Sequence, residues 1–147
     1  MTVIFDIDNT LSLSNKRFEL ATKPNGKIDW DIAHTPEYVL QDLPNLPVVD
    51  LAIKYKKEGA KIIIITGRPD TIKNVTEEWL KQWGVTYDEL YMRTKQDFYV
   101  KAPILKRKIY ETYITDDIFC AYDDDQDIID MWIDLGIPCC KVYAIHR

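Results

Sequence analysis

The stretch Val3-Ile4-Phe5-Asp6-Ile7-Asp8-Asn9-Thr10 decides the fold of this chain. Its β-branched and aromatic residues predict a buried strand. Side chains two positions apart share one face of a strand, so Asp6 and Asp8 are expected to point the same way. Ligands of open α/β sheets bind at the carboxyl ends of the strands, and two acids there predict a metal and phosphate site. The alternative is an ordinary strand that leaves the sheet into an acidic loop.

Strand and helix patterns alternate along the rest of the chain. The run 60–65 is almost continuously apolar, as in a strand covered on both faces. Further strands are predicted at 89–92, 118–122 and 140–144, and helices at about 47–58, from a cap at Asp70 or Thr71 to Gly84, from Pro103 onward and at about 126–135. This alternation predicts an α/β fold of three layers, with a doubly wound, mostly parallel sheet between helices.

The segment 12–47 has a weaker pattern. Four prolines interrupt it, Pro24, Pro36, Pro44 and Pro47, and it is predicted to be a loop with one short helix near 35–40. A loop this long in a compact domain usually lies over a functional site. Such a proline-broken insert is also too irregular to form a large domain of its own.

The composition limits the kinds of protein to which this chain can belong. With 147 residues, 46% hydrophobic and 29% charged, the chain is expected to form a single domain over 1–147. Its apolar runs are too short for a membrane span, and no basic leader precedes the first strand, so we expect a cytoplasmic, intracellular protein without a membrane partner. The three cysteines, Cys120, Cys139 and Cys140, lack a metal-binding spacing and are expected to be reduced and to fill the core.

The charge distribution is more informative than its sum. A net charge of −5 gives no overall attraction to nucleic acid. Bases gather at 16–17 and between 93 and 108, whereas acids gather at 123–127. This pattern is compatible with a basic rim around an acidic centre, and equally with a solvated mixed surface.

Polar residues end several of the predicted strands. Asp6 and Asp8 follow the first, Thr66 follows the second, and Asp123 with Asp124 follows the fourth. Because parallel strands end at one edge of a sheet, these groups are expected to share a rim. Carboxylates suit Mg²⁺, and a further acid is then free to attack phosphorus or to move a proton. The combination predicts phosphoryl transfer.

This arrangement resembles the haloacid dehalogenase (HAD) superfamily of phosphotransferases, whose DxDxT motif matches 6–10. The resemblance implies a nucleophilic Asp6, and makes Asp8 the general acid and base and a metal ligand through its backbone carbonyl. It implies that Asp6, Asp8, Asp123 and Asp124 surround Mg²⁺ and that Thr66 and Lys106 hold the phosphate. Lys101 competes with Lys106 for that last position, and Lys106 is favoured because it lies one turn inside the predicted helix. Asn9 stands where glycine is commoner, and asparagine tolerates a left-handed turn.

A closer likeness is to the 3'-phosphatase domain of phage polynucleotide kinase. It rests on the spacing from Asp8 to Arg17, on Thr66-Gly67-Arg68, on Met92-Arg93 and on the segment from Ala121 to Gly136. The likeness implies that the substrate-binding residues are Arg17, Gly67, Arg68 and Arg93, and it is compatible with a phage-encoded protein. Ala102 replaces an acidic residue of that family, and no GxxxxGK[ST] segment is present, so the likeness covers the phosphatase part alone.

Three functions compete at this point. The first is a Mg²⁺-dependent phosphomonoesterase that removes 3'-phosphate from polynucleotide ends. The second is a nucleotidase or small-molecule phosphatase of the same superfamily, and the remote third is a non-catalytic, receiver-like or phosphate-binding module. The expected partner is a phosphorylated nucleic-acid end or a nucleotide, without an obligate protein partner. Tyr91, Phe98 and Tyr99, beside Arg93 and Lys95, are candidates to stack a terminal base, although packing is the commoner role of such aromatics.

A helix opened by Pro103 carries the candidate lysine. Its apolar positions Ile104, Leu105 and Ile109 are expected to face inward. Residues 106–108 are expected at its start or on its outer face.

Overall fold

The computed structural model describes residues 1–146, which alternate between strands and helices. The strands are β1 (Thr2–Phe5), β2 (Ser12–Leu13), β3 (Leu43–Pro44), β4 (Lys61–Pro69), β5 (Glu89–Arg93), β6 (Ile118–Asp123) and β7 (Cys139–Lys141). The helices are α1 (Asn15–Ala21), α2 (Trp30–Ala33), α3 (Pro36–Leu40), α4 (Leu46–Lys57), α5 (Lys73–Gln82), α6 (Ala102–Tyr113) and α7 (Gln126–Asp134). Short 3₁₀ turns cover Asp70–Ile72 and Lys95–Asp97.

β1 lies at the centre of the main sheet, whose strand order is β5-β4-β1-β6-β7. Every pair in that sheet is parallel. Ile4 is opposite Ile63 of β4 and Ala121 of β6, so the central strand is paired along both edges. This confirms the predicted α/β fold and brings the carboxyl ends of β1, β4 and β6 together.

The sheet is covered on both faces by separate apolar clusters. Ile62 and Ile64 pack with Trp79 of α5 and Val49 of α4 on one face. The alternate residues Ile63 and Ile65 pack on the other face with Leu105 of α6 and Trp132 of α7. Successive side chains of a strand point to opposite faces, which explains why β4 is apolar at every position from Ile62 to Ile65.

The segment 12–47 is more regular than the sequence pattern predicted. It begins with β2, which pairs antiparallel with β3, and α1 and α2 lie between these strands in addition to the expected short helix α3. The prolines fit this structure because Pro36 and Pro47 occupy the first turns of α3 and α4, where the missing N–H group costs little. The loop prediction for this segment was therefore wrong for 15–21 and 30–33.

Other details also differ from the expectations. Ile104 is 61% exposed, so its expected inward position was wrong. Lys106, expected at the start of α6 or on its outer face, lies in the second turn and is only 2% exposed. The fifth strand is shorter and ends at Lys141. All three cysteines are free thiols, but Cys140 is exposed and does not fill the core. Within 1–146, none of the helices combines the length and the apolar character that crossing a membrane requires.

Ile63→Ala should lower the free energy of unfolding by about 2–5 kcal/mol, because Ile63 is fully buried on the inner strand β4 and the truncation leaves a cavity. The matched control is Ile104→Ala on the exposed face of α6, which should change it by less than about 0.5 kcal/mol. Urea unfolding followed by circular dichroism measures both. Equal effects of the two substitutions would contradict the assigned core.

Candidate active site

The chain makes a tight turn immediately after β1. The backbone N–H groups of Thr10, Leu11 and Ser12 all donate to the carbonyl of Ile7, at 2.9–3.0 Å. Asn9 adopts a left-handed conformation with φ of 59°, which asparagine tolerates better than most residues. The turn directs the chain from the end of β1 into β2.

The carboxylates before and within this turn have different partners. Asp6 bonds to Thr10 and Lys106, whereas Asp8 bonds to Ser14, Arg17 and Arg68. The alternation of the strand continues beyond Phe5, because Ile7 packs in the same apolar cluster as Val3 and Phe5. That the two acids point the same way stays a prediction, and their different partners show that they belong to two separate networks.

Asp6 lies in a buried group of charges formed by β1, α6 and β6. Lys106 donates to Asp6 Oδ1 at 2.9 Å and to Asp123 Oδ2 at 2.7 Å. The Thr10 hydroxyl donates to Asp6 Oδ2 at 3.0 Å, so both oxygens of Asp6 are fixed. Asp6 and Lys106 face each other because Ile4, two residues before Asp6, faces the cluster that contains α6.

Asp124 extends this group to three carboxylates. One oxygen each of Asp6, Asp123 and Asp124 lies within 4.8 Å of the others. Burial, with the negative charge of Asp123 added to it, raises the pKa of Asp6 well above its usual range and that of Asp124 to about 6. Burial also works against the charge of Lys106, but Asp123 and Asp6 outweigh it and raise its pKa. Carboxylate oxygens this close are a donor set that a hard divalent cation such as Mg²⁺ fits.

Asp8 lies in a second group of charges. Its carboxylate accepts bonds from Arg17 Nη2 at 2.6 Å, from Arg68 Nη2 at 2.7 Å and from the Ser14 hydroxyl at 2.8 Å. Burial alone would raise the pKa of Asp8, but the charges of Arg68 and Arg17 outweigh burial and lower it. The side chain of Asp8 is therefore ionised at neutral pH, and it lies outside the three-carboxylate group.

Asp42 completes the second group and was missed by the sequence interpretation. It accepts from Arg17 Nε and Nη2 and from the Ser14 hydroxyl, and its own backbone carbonyl accepts from the indole of Trp79 at 2.8 Å. Both arginines are almost fully buried, at 1–2% exposure. In the sequence, Asp42 is one acidic residue in a proline-rich segment, between two short elements. Nothing in its sequence neighbours distinguishes it from a surface acid until the fold is known.

The remaining predicted residues lie near these groups. The Thr66 hydroxyl is buried and accepts the backbone N–H of Arg68 at 3.2 Å. Arg93 bonds to the Gly67 carbonyl at 3.0 Å instead of to any of the carboxylates above. Lys101 is exposed at the N-cap of α6, so only Lys106 of the two candidate lysines reaches Asp6.

A parallel sheet with β1 at its centre and an acidic group at the ends of β1 and β6 defines a hydrolase of the HAD superfamily, a phosphatase. More specifically, the chain belongs to the family described as the polynucleotide kinase PNKP phosphatase domain, whose model matches residues 1–144.

Solved structures agree with this membership. A chain of the Pnkp1/Rnl/Hen1 complex is 32% identical with a TM-score of 0.77, and the match covers 99% of this chain and 47% of that one. In the Pnkp1/Rnl/Hen1 RNA repair complex the identity is again 32% and the TM-score 0.77, over 96% of this chain and 42% of that one. This chain thus spans less than half the length of these relatives. The D,D-heptose 1.7-bisphosphate phosphatase of B. bronchiseptica, complexed with magnesium and phosphate, shares the fold at 13% identity, with a TM-score of 0.59 and coverage of 94% and 78%.

His34, at the end of α2, is a half-buried imidazole beside the second group of charges. It stacks on Trp30, with ring centroids 5.5 Å apart. Burial lowers its pKa to about 4, against the attraction of Asp8 and with the repulsion of Arg17 added. The charged groups that act on it are Asp8, Arg17, Arg68 and Asp31.

The lowered pKa of His34 should make the protein less stable in mild acid. The unfolded chain takes up a proton near the ordinary value of 6.5, whereas the folded protein does so only near 4. The stabilising contribution is therefore complete above about pH 6.5 and is lost as the pH falls towards 4. His34→Gln should lose less unfolding free energy than the wild type between pH 7 and pH 5 in urea titrations. Identical losses would contradict the assignment.

Lys106→Met should lower the free energy of unfolding by about 3–5 kcal/mol when no divalent cation is added, because it leaves Asp6 and Asp123 buried without their partner. Lys101→Met is the matched control on the same helix. It removes an exposed charge and should change the unfolding free energy by less than about 0.5 kcal/mol. Thermal melts in EDTA give both values, and equal destabilisation by the two would contradict the buried bridge.

Proposed function

We propose that this protein is a Mg²⁺-dependent phosphomonoesterase that removes the 3'-phosphate from polynucleotide ends through an aspartyl-phosphate on Asp6. The observation that carries the proposal is the fixed carboxylate of Asp6, which Thr10 and Lys106 hold at the carboxyl end of β1. Membership of the PNKP phosphatase-domain family supports the reaction class. Residues 1–146 act in this proposal as one phosphatase domain.

Asp6 and Asp8 have different roles in the proposed reaction. An oxygen of Asp6 attacks phosphorus and forms an acyl phosphate as the bond to the 3' oxygen of the substrate breaks, and that oxygen takes its proton from Asp8. Water then attacks the same phosphorus, the carboxylate of Asp8 takes a proton from the water, and the bond to Asp6 breaks to release phosphate. Because Arg17 and Arg68 hold Asp8 ionised in the free protein, Asp8 has to acquire a proton before the first step.

Other residues stabilise the negative charge of the phosphoryl group. The ammonium of Lys106 and the hydroxyl of Thr66 are proposed to hold the oxygens of the phosphoryl group as negative charge builds on them. Asp6, Asp123, Asp124 and the backbone carbonyl of Asp8 would hold Mg²⁺, which supplies positive charge to the phosphoryl group when bound. Gly67, Arg68, Arg17 and Arg93 are proposed to position the substrate, with Arg17 and Arg68 also orienting Asp8.

The proposed substrate is a polymer because no separate cap domain covers the site within the described residues. The segment 12–47 packs as short elements and does not form a separate cap domain within the described residues. A site without a cap excludes water poorly around a small substrate but admits a chain end. The relatives in the RNA repair complex make an RNA end a reasonable substrate, beside DNA. Those relatives are also assembled with other proteins, so independence from a protein partner stays a prediction, as does an intracellular location.

Phosphate release should be fastest from an oligonucleotide with a 3'-phosphate, and Asp6→Asn should slow it by at least about a thousandfold because the amide is a poor nucleophile. The measurement compares matched oligonucleotides with 3'- or 5'-phosphate and a mononucleotide, with Mg²⁺ and with EDTA. Asp50→Asn, the same chemical change at an exposed acid of α4, is the matched control and should retain most of the activity.

Three outcomes would change the conclusion. Equal or better release from the mononucleotide would identify a nucleotidase. Preference for the 5'-phosphate would contradict the proposed substrate end. A lack of release from every substrate by the folded wild-type protein would favour the non-catalytic phosphate-binding module.

A further inference from the structure

The loop formed by residues 94–101 joins β5 to α6 and carries Phe98 and Tyr99 at its tip. Phe98 is 64% exposed and Tyr99 is 94% exposed. Their rings contact each other edge to face, with centroids 5.0 Å apart. Burial of aromatic rings is a large source of stability, so two adjacent rings left in solvent contribute little to folding. A role in packing, which is the commoner use of such residues, does not account for them.

The backbone beneath these rings is held in place by several polar contacts. Arg93 Nη1 donates to the carbonyls of Asp97 and Val100, at 2.6 and 2.5 Å. Asp97 is 5% exposed, and it accepts from the Thr94 hydroxyl and from Lys108 at 2.7 Å each. The exposed rings therefore stand on a constrained loop, which lowers the entropy that ordering them on a ligand would cost.

The same contacts place the loop beside the candidate active site. The Nε group of Arg93 donates to the carbonyl of Gly67 at 3.0 Å, and Gly67 lies between Thr66 and Arg68 at the end of β4. On its other side the loop leads into α6, whose second turn carries Lys106 to Asp6. The loop that carries the rings is thus attached at both ends to elements that contribute to the site, through Gly67 of β4 and through α6.

The charges around the rings favour a polyanion. Lys95 and Lys101 flank the loop, are exposed, and form no ion pair with any residue in 1–146. Asp97, the acid of this loop, is turned inward and paired with Lys108. A ring surface flanked by free ammonium groups matches a nucleic-acid strand, whose bases have apolar faces and whose backbone is negatively charged.

We propose that Phe98 and Tyr99 form a stacking surface for a nucleobase of single-stranded nucleic acid whose phosphorylated end occupies the candidate active site. The proposal rests on the proposed function and names a determinant of polymer over mononucleotide substrates. Lys95 and Lys101 contact the phosphodiester backbone beside the stacked base. The surface is independent of base sequence, because every base has a face on which a ring can stack.

Binding of a fluorescent single-stranded oligonucleotide, measured by anisotropy, tests the surface without turnover. The double variant Phe98→Ala/Tyr99→Ala should weaken the affinity by about tenfold. The matched control is Phe119→Ala, which removes an aromatic ring that is 52% exposed. Phe119 lies near the amino end of β6, whereas the candidate active site lies at the carboxyl ends of the strands. The Phe119→Ala variant should bind like the wild type. Phe98→Tyr/Tyr99→Phe, which keeps both rings, should also retain the affinity.

Two further measurements separate stacking from charge and from catalysis. Abasic nucleotides near the 3' end should weaken binding to the wild type but not to the double alanine variant. Lys95→Ala/Lys101→Ala should lower the slope of log affinity against log salt by about one per lysine. In turnover, the preference of the double ring variant for an oligonucleotide over a mononucleotide should fall by about tenfold.

Failure of this inference differs from failure of the proposed function. Wild-type affinity equal to that of the folded double ring variant, or no binding of the oligonucleotide by the wild type, overturns the stacking surface even if phosphate is released normally. Tight, ring-dependent binding without any phosphate release supports the surface and overturns the phosphatase function instead.

Discussion

The buried bridge from Lys106 to Asp6 and Asp123 is the interaction on which the rest of the site depends. It joins α6 to the ends of two neighbouring strands, and it places one ammonium group among three carboxylates. Burying charge is costly unless each group is paired, so α6 has to pack in the register that delivers Lys106 to this point. The apolar residues of α6, such as Leu105 and Ile109, fix that register against β4.

A second network holds the other acid of the opening motif. Arg17 from α1 and Arg68 from β4 converge on Asp8, and Asp42 pairs with the same Nη2 nitrogen of Arg17. The segment 12–47 thus contributes structure to the site and does not merely pass over it. Asp6 and Asp8, separated by one residue, consequently have pKa values displaced in opposite directions by their surroundings, upward for Asp6 and downward for Asp8. Such a separation suits two acids with different tasks.

The sequence interpretation was accurate for features that depend on residues close together in the chain. It was inaccurate for features that depend on residues far apart in the chain. Apolar periodicity located the five strands of the main sheet and the helices α4 to α7, because these patterns repeat within one element. It failed where a partner far along the chain decides the outcome. Ile104 was placed on the wrong side of α6, and the burial of Lys106 was not expected, since a buried lysine looks like a surface residue until its carboxylates are known. Helix α1 was missed because its apolar face is short and prolines follow it.

By itself, the sequence determined the parallel α/β fold and the presence of acids and a hydroxyl at the ends of the strands, because strand and turn preferences are local. Only the tertiary structure decided which charges are paired. Lys106 and Asp6 are 100 residues apart, Arg68 and Asp8 are 60 apart, and Arg17 and Asp42 are 25 apart. Contacts of that separation leave no periodic trace in the chain, and they form only when the packed sheet and helices bring the groups within hydrogen-bonding distance.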